Sequence, residues 1–316
     1  MITTRRTDVD QQQSPTADMD PFTDVDFPEL EKSLRRPRTL FSLAMGWLVT
    51  GLTFLALVPL FSVIGRLIWR GGRNLSLAVL TQLPPAPLEA GGGFGNAILG
   101  TLVMVVLATL ISVPLGVLTA VFLAQAEKRN RLAGIVRFAA KVLTGFPSIL
   151  AGVFSYGAVV LLTGGFSALA GAAALSILMV PTILLTTEDA IRAVPARMRE
   201  AAIGMGATHT QTVWMVLLPT AVPGILTGVM LAIARAAGET APLLLTALFS
   251  NYWLASHGHV DFMQPTASLA VLIYNFAGTP FENQVELAWS AALVLVLLVL
   301  ITNLAGQSLS SKQIRD

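Results

Sequence analysis

Two charges four residues apart stand out in AIARAAGETAPLLL, residues 232–245, because every neighbour but Thr240 is apolar or small. Arg235 and Glu239 at that spacing share one face of a helix and can pair across a turn. A guanidinium presents parallel N–H donors that match two oxygens of an oxyanion, and it stays charged at every relevant pH. The chemistry on offer is reversible anion recognition, with Glu239 partly neutralising the cation so that an anion is attracted without being trapped. Thr240 adds a hydroxyl beside the pair, and Pro242 is expected to free a backbone carbonyl one turn earlier. The structural alternative is a salt bridge holding membrane helices together, since buried pairs add specificity without net stability.

Other chemistries lack their residues. There is no cysteine, which excludes disulfides, thiolate nucleophiles, cysteine-ligated metals and iron–sulfur clusters. With His209, His257 and His259 the only histidines, no histidine-built metal site is expected. No G-x-x-x-x-G-K-[ST] is present to cradle a nucleotide phosphate, no H-E-x-x-H and no paired intramembrane aspartates. The glycines at 91–93 and 95 have no strand before them and no lysine after, so they read as a hinge or a helix cap.

The elements that must position Arg235 and Glu239 are membrane helices. The chain is 54% hydrophobic and 12% charged, against roughly 25% charged in an ordinary soluble domain. Apolar runs approaching ~20 residues predict an all-α polytopic membrane protein, and no ~10-residue alternation points to a barrel. Six spans are expected at about 40–65, 97–124, 138–162, 166–187, 223–249 and 286–306. Residues 1–38 read as a polar, disordered cytoplasmic tail ahead of a permease domain over 39–316. With the N-terminus inside, sixteen of the twenty Lys and Arg fall in cytoplasmic segments, as the positive-inside rule requires. Both termini are then cytoplasmic. Arg66, Arg70 and Arg73, just after the first span, fall on the outer side and break the pattern. The outer loop 250–285 carries no Lys or Arg and is expected to hold a short helix or re-entrant piece. Thr101, Thr109, Ser112, Thr144, Ser148 and Ser155 are small polar groups in spans, better suited to close helix packing than to solute.

Between the fourth and fifth spans lies REAAIGMGATHTQTVWMVLLP, residues 199–219, too interrupted to cross a membrane. A helix over 195–207 with Pro195 in its first turn, a glycine-bearing end at 204 and 206, and a second short helix from about 208 to 217 are predicted. Gly206 allows positive φ or a close backbone neighbour. His209 reads as a surface or partner contact.

Glu200-Ala201-Ala202, then Gly206, then Val216, Leu218 and Pro219 resemble the EAA loop of ABC importer permeases. The resemblance implies a coupling loop, over 188–222, that docks in a groove of a cytoplasmic ATPase, with Glu200 bonding the partner. It extends through 95–125, 217–247, 264–278 and 282–306 to the PstA-type permease family of the phosphate-specific ABC importer, and leaves the first 38 residues out. That family implies the type I importer (MetI-like) bundle of six transmembrane helices in a bacterial or archaeal plasma membrane. It further implies a PstC-type partner permease, two PstB-type ATPase subunits that use ATP and Mg, and a PstS-type phosphate-binding protein outside. On this resemblance the chain is no enzyme, holds no cofactor or metal, binds no nucleic acid and carries phosphate across the lipid bilayer. Arg235, Glu239 and Thr240 would line the path. The rivals are a permease for another oxyanion such as sulfate or molybdate, and an ion-coupled carrier in which Arg235 and Glu239 relay a proton.

Overall fold

The computed structural model describes residues 37–126, 130–256 and 259–313. The expected tail over 1–38 lies outside them but for its last two positions. The chain divides into two units, Met1–Phe61 and Ser62–Asp316. The described part of the first unit is the opening of α1 (Pro37–Arg73). Its apolar residues point in every direction, with Trp47 72% and Phe54 67% exposed. A helix apolar all round belongs in hydrocarbon.

The second unit contains the end of α1, then α2 (Leu77–Thr81), α3 (Gly95–Gln125), α4 (Arg131–Thr144) and α5 (Ser148–Ser155). A π-turn (Tyr156–Val160) joins α5 to α6 (Leu161–Thr163), followed by α7 (Ala168–Arg192) and α8 (Ala196–Gly204). Next, α9 (His209–Thr212) runs through a second π-turn (Val213–Leu217) into α10 (Leu218–Ala237). After α11 (Ala241–Leu244) come a two-residue hairpin, β1 (Ala255–Ser256) and β2 (His259–Val260), then α12 (Leu269–Ala277) and α13 (Glu282–Gln313). Among the described residues five helical runs are long and apolar enough to cross a membrane, and six if the bent pair α4 plus α5–α6 counts as one.

The most buried of these is α7, with α3, α4, α5 and α10 packed on it. Its first half, ALAGAAALS, has side chains small enough for backbones to approach closely, as membrane helix packing without a hydrophobic drive demands. On α10, Gly228 lies against Thr186 of α7, where a Cβ would overlap the threonine side chain. The core formed by Met104, Leu175, Met179, Ile183, Val229 and Ala236 runs between α3, α7 and α10. Two of the intramembrane hydroxyls tie helices together. Ser155 Oγ donates to the Ala170 carbonyl at 2.8 Å, and Thr101 Oγ1 accepts the Leu269 N–H at 2.9 Å, satisfying the first orphan donor of α12.

Three expectations need correction. The span placed at 138–162 is broken: α4 and α5–α6 meet at 110°. Pro147, itself at φ −57° and ψ 128°, caps α5 and disfavours helix at the residue before it, while α4, bearing Arg131, Arg137 and Lys141, has a polar face that hydrocarbon would not accept. The span placed at 223–249 begins and ends earlier, being the continuous run His209–Ala237. The separate helix expected at 208–217 is therefore the foot of that span. The short helix expected in the outer loop is α12, N-capped by Ser268.

Candidate functional site

Helix α10 closes at Gly238, whose N–H bonds the Arg235 carbonyl at 3.1 Å, and the Glu239 N–H bonds Ala236 O at 3.2 Å. Arg235 thus occupies the last turn, and Glu239 lies just beyond the helix. The pair expected from the spacing forms: Arg235 Nε donates to Glu239 Oε1 at 3.4 Å. It is a long, single contact. The Arg235 guanidinium has no other hydrogen bond among the described residues, so most of its five donors are unspent. Its side chain is 44% exposed, whereas that of Glu239 is 16% exposed. The cation is also favoured electrostatically at a helix C-terminus.

The face carrying Arg235 is the open one. Gly224, Thr227, Leu231, Arg235 and Gly238 form an exposed stripe along α10, while Ile225, Val229, Ala232 and Ala236 are buried against the bundle. The run His209–Ala237 is 29 residues, about 43 Å of helix, longer than the ~30 Å hydrocarbon core. A charge in its last turn stands toward one membrane face, where it costs less than at the bilayer centre.

Between α10 and α11 the chain is non-helical at Glu239 and Thr240, an interruption tolerated at membrane depth only where protein or a water-lined cavity covers it. Thr240 caps α11 through its carbonyl, which accepts the Leu243 and Leu244 N–H groups at 3.1 and 3.2 Å. Its hydroxyl has no hydrogen bond among the described residues. The carbonyl that Pro242 was expected to free inside a helix is not lost from one, because Pro242 lies in the first turn of α11, where no intrahelical bond is due. Segment 241–247 folds back onto α5 and α7: Pro242 lies against Gly152, and the Thr246 carbonyl accepts Ser167 N–H at 3.0 Å. By contrast, a cavity of about 260 Å³ between α3, α10 and α13, lined by Val105, Thr109, Ile233 and Thr302, carries no charge for an anion.

The 199–219 segment has a local explanation. Helix α8 begins after Pro195 and ends in a Schellman turn: Ala207 N–H bonds Ala202 O at 3.1 Å and Gly206 N–H bonds Ile203 O at 2.9 Å. Gly206 has φ +87°, the left-handed conformation the spacing anticipated. One residue later a capping box opens α9, with Gln211 N–H donating to Thr208 Oγ1 at 3.3 Å and Thr208 N–H to Gln211 Oε1 at 2.8 Å. The T-x-x-Q signal for that box was present in the sequence and fixes where the second helix starts. Two helix ends set back to back make a sharp, fully bonded turn.

On α8, Ala202 is buried and serves as the anchor, while Glu200 and Ala201 face outward with Met198, Ile203 and Met205. The Glu200 side chain makes no hydrogen bond or ion pair among the described residues. Leu218 and Pro219 are not on α8 but in the first turn of α10, just after the π-turn. Pro219 cannot donate to the ladder, and a π-turn immediately before it widens the helix at that point. The stiff span thus carries the turn at Gly206–Thr208 on its own end.

Sequence reasoning missed a charge cluster at the base of α8. Glu188 of α7, its side chain 4% exposed, accepts from Arg137 Nη2 of α4 at 2.7 Å and from Arg137 Nε at 3.0 Å, and pairs with Arg192 Nη2 at 2.8 Å. Arg137 Nη2 also reaches the Leu123 carbonyl of α3 at 3.4 Å. The Glu188–Arg192 spacing was a helical i,i+4 signal, but Arg137 lies 51 residues away, and only the fold brings it in.

Residues 112–315 match the model of the binding-protein-dependent transport system inner membrane component. The phosphate transport system permease protein PstA of Yersinia pestis is 38% identical over 279 residues, covering 88% of this chain and 91% of that protein. Among solved structures, the inward-facing MetNI methionine ABC transporter aligns at TM-score 0.53 and 19% identity, over 81% of this chain and 98% of that one. A bacterial alginate ABC transporter in complex with its pentasaccharide-bound periplasmic protein aligns at TM-score 0.60 and 13% identity, over 86% and 96%. At those identities the structures speak for the fold alone.

Proposed function

The chain belongs to the family of binding-protein-dependent transport system inner membrane components, and from that premise we propose that it conducts inorganic phosphate as a permease subunit of an ATP-driven importer. It is a membrane subunit of an ABC transporter and not an enzyme. The observation that carries the phosphate path is Arg235, whose donors are largely unspent on the open face of α10, beside the break before α11. That face meets a second permease of PstC type across the path. Two PstB-type ATPases bind and hydrolyse ATP with Mg, and a PstS-type protein delivers phosphate from outside. Both termini and α8 lie in the cytoplasm of a bacterial or archaeal cell.

Phosphate oxygens replace Glu239 as acceptors for the parallel guanidinium donors. Glu239, held at 3.4 Å from Nε, is close enough to reclaim the cation when the anion leaves, which keeps residence short. Thr240 offers a hydroxyl at the same level. On the other side, Glu200, Ala201 and the exposed methionines of α8 seat in the ATPase groove. ATPase closure moves α8, and the bonded turn at Gly206–Thr208 passes that movement through Leu218 and Pro219 into α10, which carries Arg235.

The test is radiolabelled phosphate uptake into proteoliposomes holding the four-component transporter, binding protein and internal ATP, with sulfate as control anion. A hydrogen bond to a charged group contributes about 1.5–3 kcal/mol, so Arg235→Gln lowers uptake tenfold or more while assembly and ATP hydrolysis persist. Glu239→Gln changes the transport rate without changing phosphate affinity of the binding protein. Wild-type uptake by Arg235→Gln would remove this residue from the path, and preferential sulfate uptake by wild type would overturn the substrate.

A further inference from the structure

The arginines at the end of α1 broke the charge pattern, and the structure gives two of them a setting. Arg70 and Arg73 line a cavity of about 290 Å³ with Trp69, Glu282, Glu286 and Trp289, between the last turn of α1 and the first turns of α13. The two helices are fastened here. Ser290 Oγ donates to the Gly71 carbonyl at 3.1 Å, Asn74 Nδ2 donates to Glu286 Oε2 at 2.9 Å, and Gly71 lies directly against the Trp289 carbonyl. The Arg70 guanidinium sits 5.8 Å from the centre of the Trp289 ring, within cation–π range. Because α10 leaves the coupling side and α13 returns to it, this cavity is on the membrane face opposite α8.

Four opposite charges share the cavity, yet among the described residues no ion pair joins Arg70 or Arg73 to Glu282 or Glu286. Trp69, 71% exposed, and Trp289 mark the interfacial depth where indole rings settle in a bilayer. Exposed Ile64 and Ile68 continue from the cavity along α1, offering apolar surface to acyl chains. We propose that the cavity binds the headgroup of a phosphoethanolamine-type phospholipid, its phosphodiester on Arg70 and Arg73 and its primary ammonium on Glu282 and Glu286. Free phosphate fits this donor set poorly, because the two carboxylates repel a dianion. A choline headgroup has no N–H to donate to them, and a glycerol headgroup leaves them unneutralised.

The experiment is lipid retention by the full chain, co-purified with its transporter partners and read by native mass spectrometry after exchange into equal phosphatidylethanolamine, phosphatidylcholine and phosphatidylglycerol. Wild type retains phosphatidylethanolamine about tenfold over the other two. Glu282→Gln with Glu286→Gln abolishes the preference over phosphatidylcholine and raises phosphatidylglycerol retention. Arg70→Gln with Arg73→Gln loses all three; if that variant does not assemble, the glutamine pair, at exposed positions and of conserved shape, decides alone. Equal retention of the three lipids by wild type, or a preference the glutamine pair leaves intact, overturns the proposal. Displacement of the lipid by millimolar inorganic phosphate would reassign the cavity to the free anion, and displacement by added binding protein would make it a docking face.

Discussion

Removing Arg137 tests whether the Glu188 cluster holds the base of α8. In Arg137→Ala the buried carboxylate loses its contacts at 2.7 and 3.0 Å and retains Arg192 at 2.8 Å. Stripping one partner from a buried pair costs about 3–5 kcal/mol, and the surviving arginine places this case near the lower end, about 3 kcal/mol. Arg192 has a half-exposed side chain, so Arg192→Ala costs about 1 kcal/mol or less. The double variant Arg137→Met with Glu188→Met recovers most of the loss, because apolar replacement of both partners removes the desolvation penalty along with the attraction. Denaturant unfolding of the chain in lipid–detergent micelles, followed by circular dichroism, gives the four values. Since α7 ends at Arg192 and α8 starts at Ala196, Arg137→Ala also weakens the stimulation of ATP hydrolysis by loaded binding protein. A cost for Arg137→Ala no greater than for Arg192→Ala, or a double variant no more stable than Arg137→Ala, would refute the reasoning.

Two further substitutions probe the turn and the packing. Gly206→Val places a β-branched residue at φ +87°, a conformation costing about 1–2 kcal/mol for a side-chain-bearing residue; binding-protein-stimulated ATP hydrolysis falls while basal hydrolysis is retained, and unchanged stimulation would show that the turn does not transmit. Gly228→Ala sets a Cβ into Thr186 of α7 and costs about 1–3 kcal/mol by overpacking, measured by thermal unfolding in micelles, with Thr186→Gly in the same chain restoring the wild-type midpoint.

Composition was enough for an all-α membrane fold, because hydropathy is additive along the chain. What failed was the depth at which helices stop. The fifth span was drawn as far as residue 249, since 241–249 is as apolar as any membrane helix, and hydropathy does not register that Gly238 ends α10 or that Pro242 starts a new turn. That error put Arg235 and Glu239 in mid-helix; their pairing survives it, because the last turn of a helix and the residue beyond still bring i and i+4 together. The third span failed for the opposite reason. Arg137 and Lys141 were already assigned to the cytoplasmic side, yet 138 was made the start of a crossing, a contradiction that the break at Pro147 resolves. Arg137 then acquires a role no local pattern contained, because its partner is fixed only when α4 lies across the ends of α3 and α7. The same holds at the other membrane face: Arg70 and Arg73 looked misplaced by charge counting along the chain, whereas α13 brings Glu282 and Glu286 to them, leaving a local balance of charge that the positive-inside rule does not count. Pairings across distant segments are thus where sequence pattern runs out, and both charge clusters of this permease arise there.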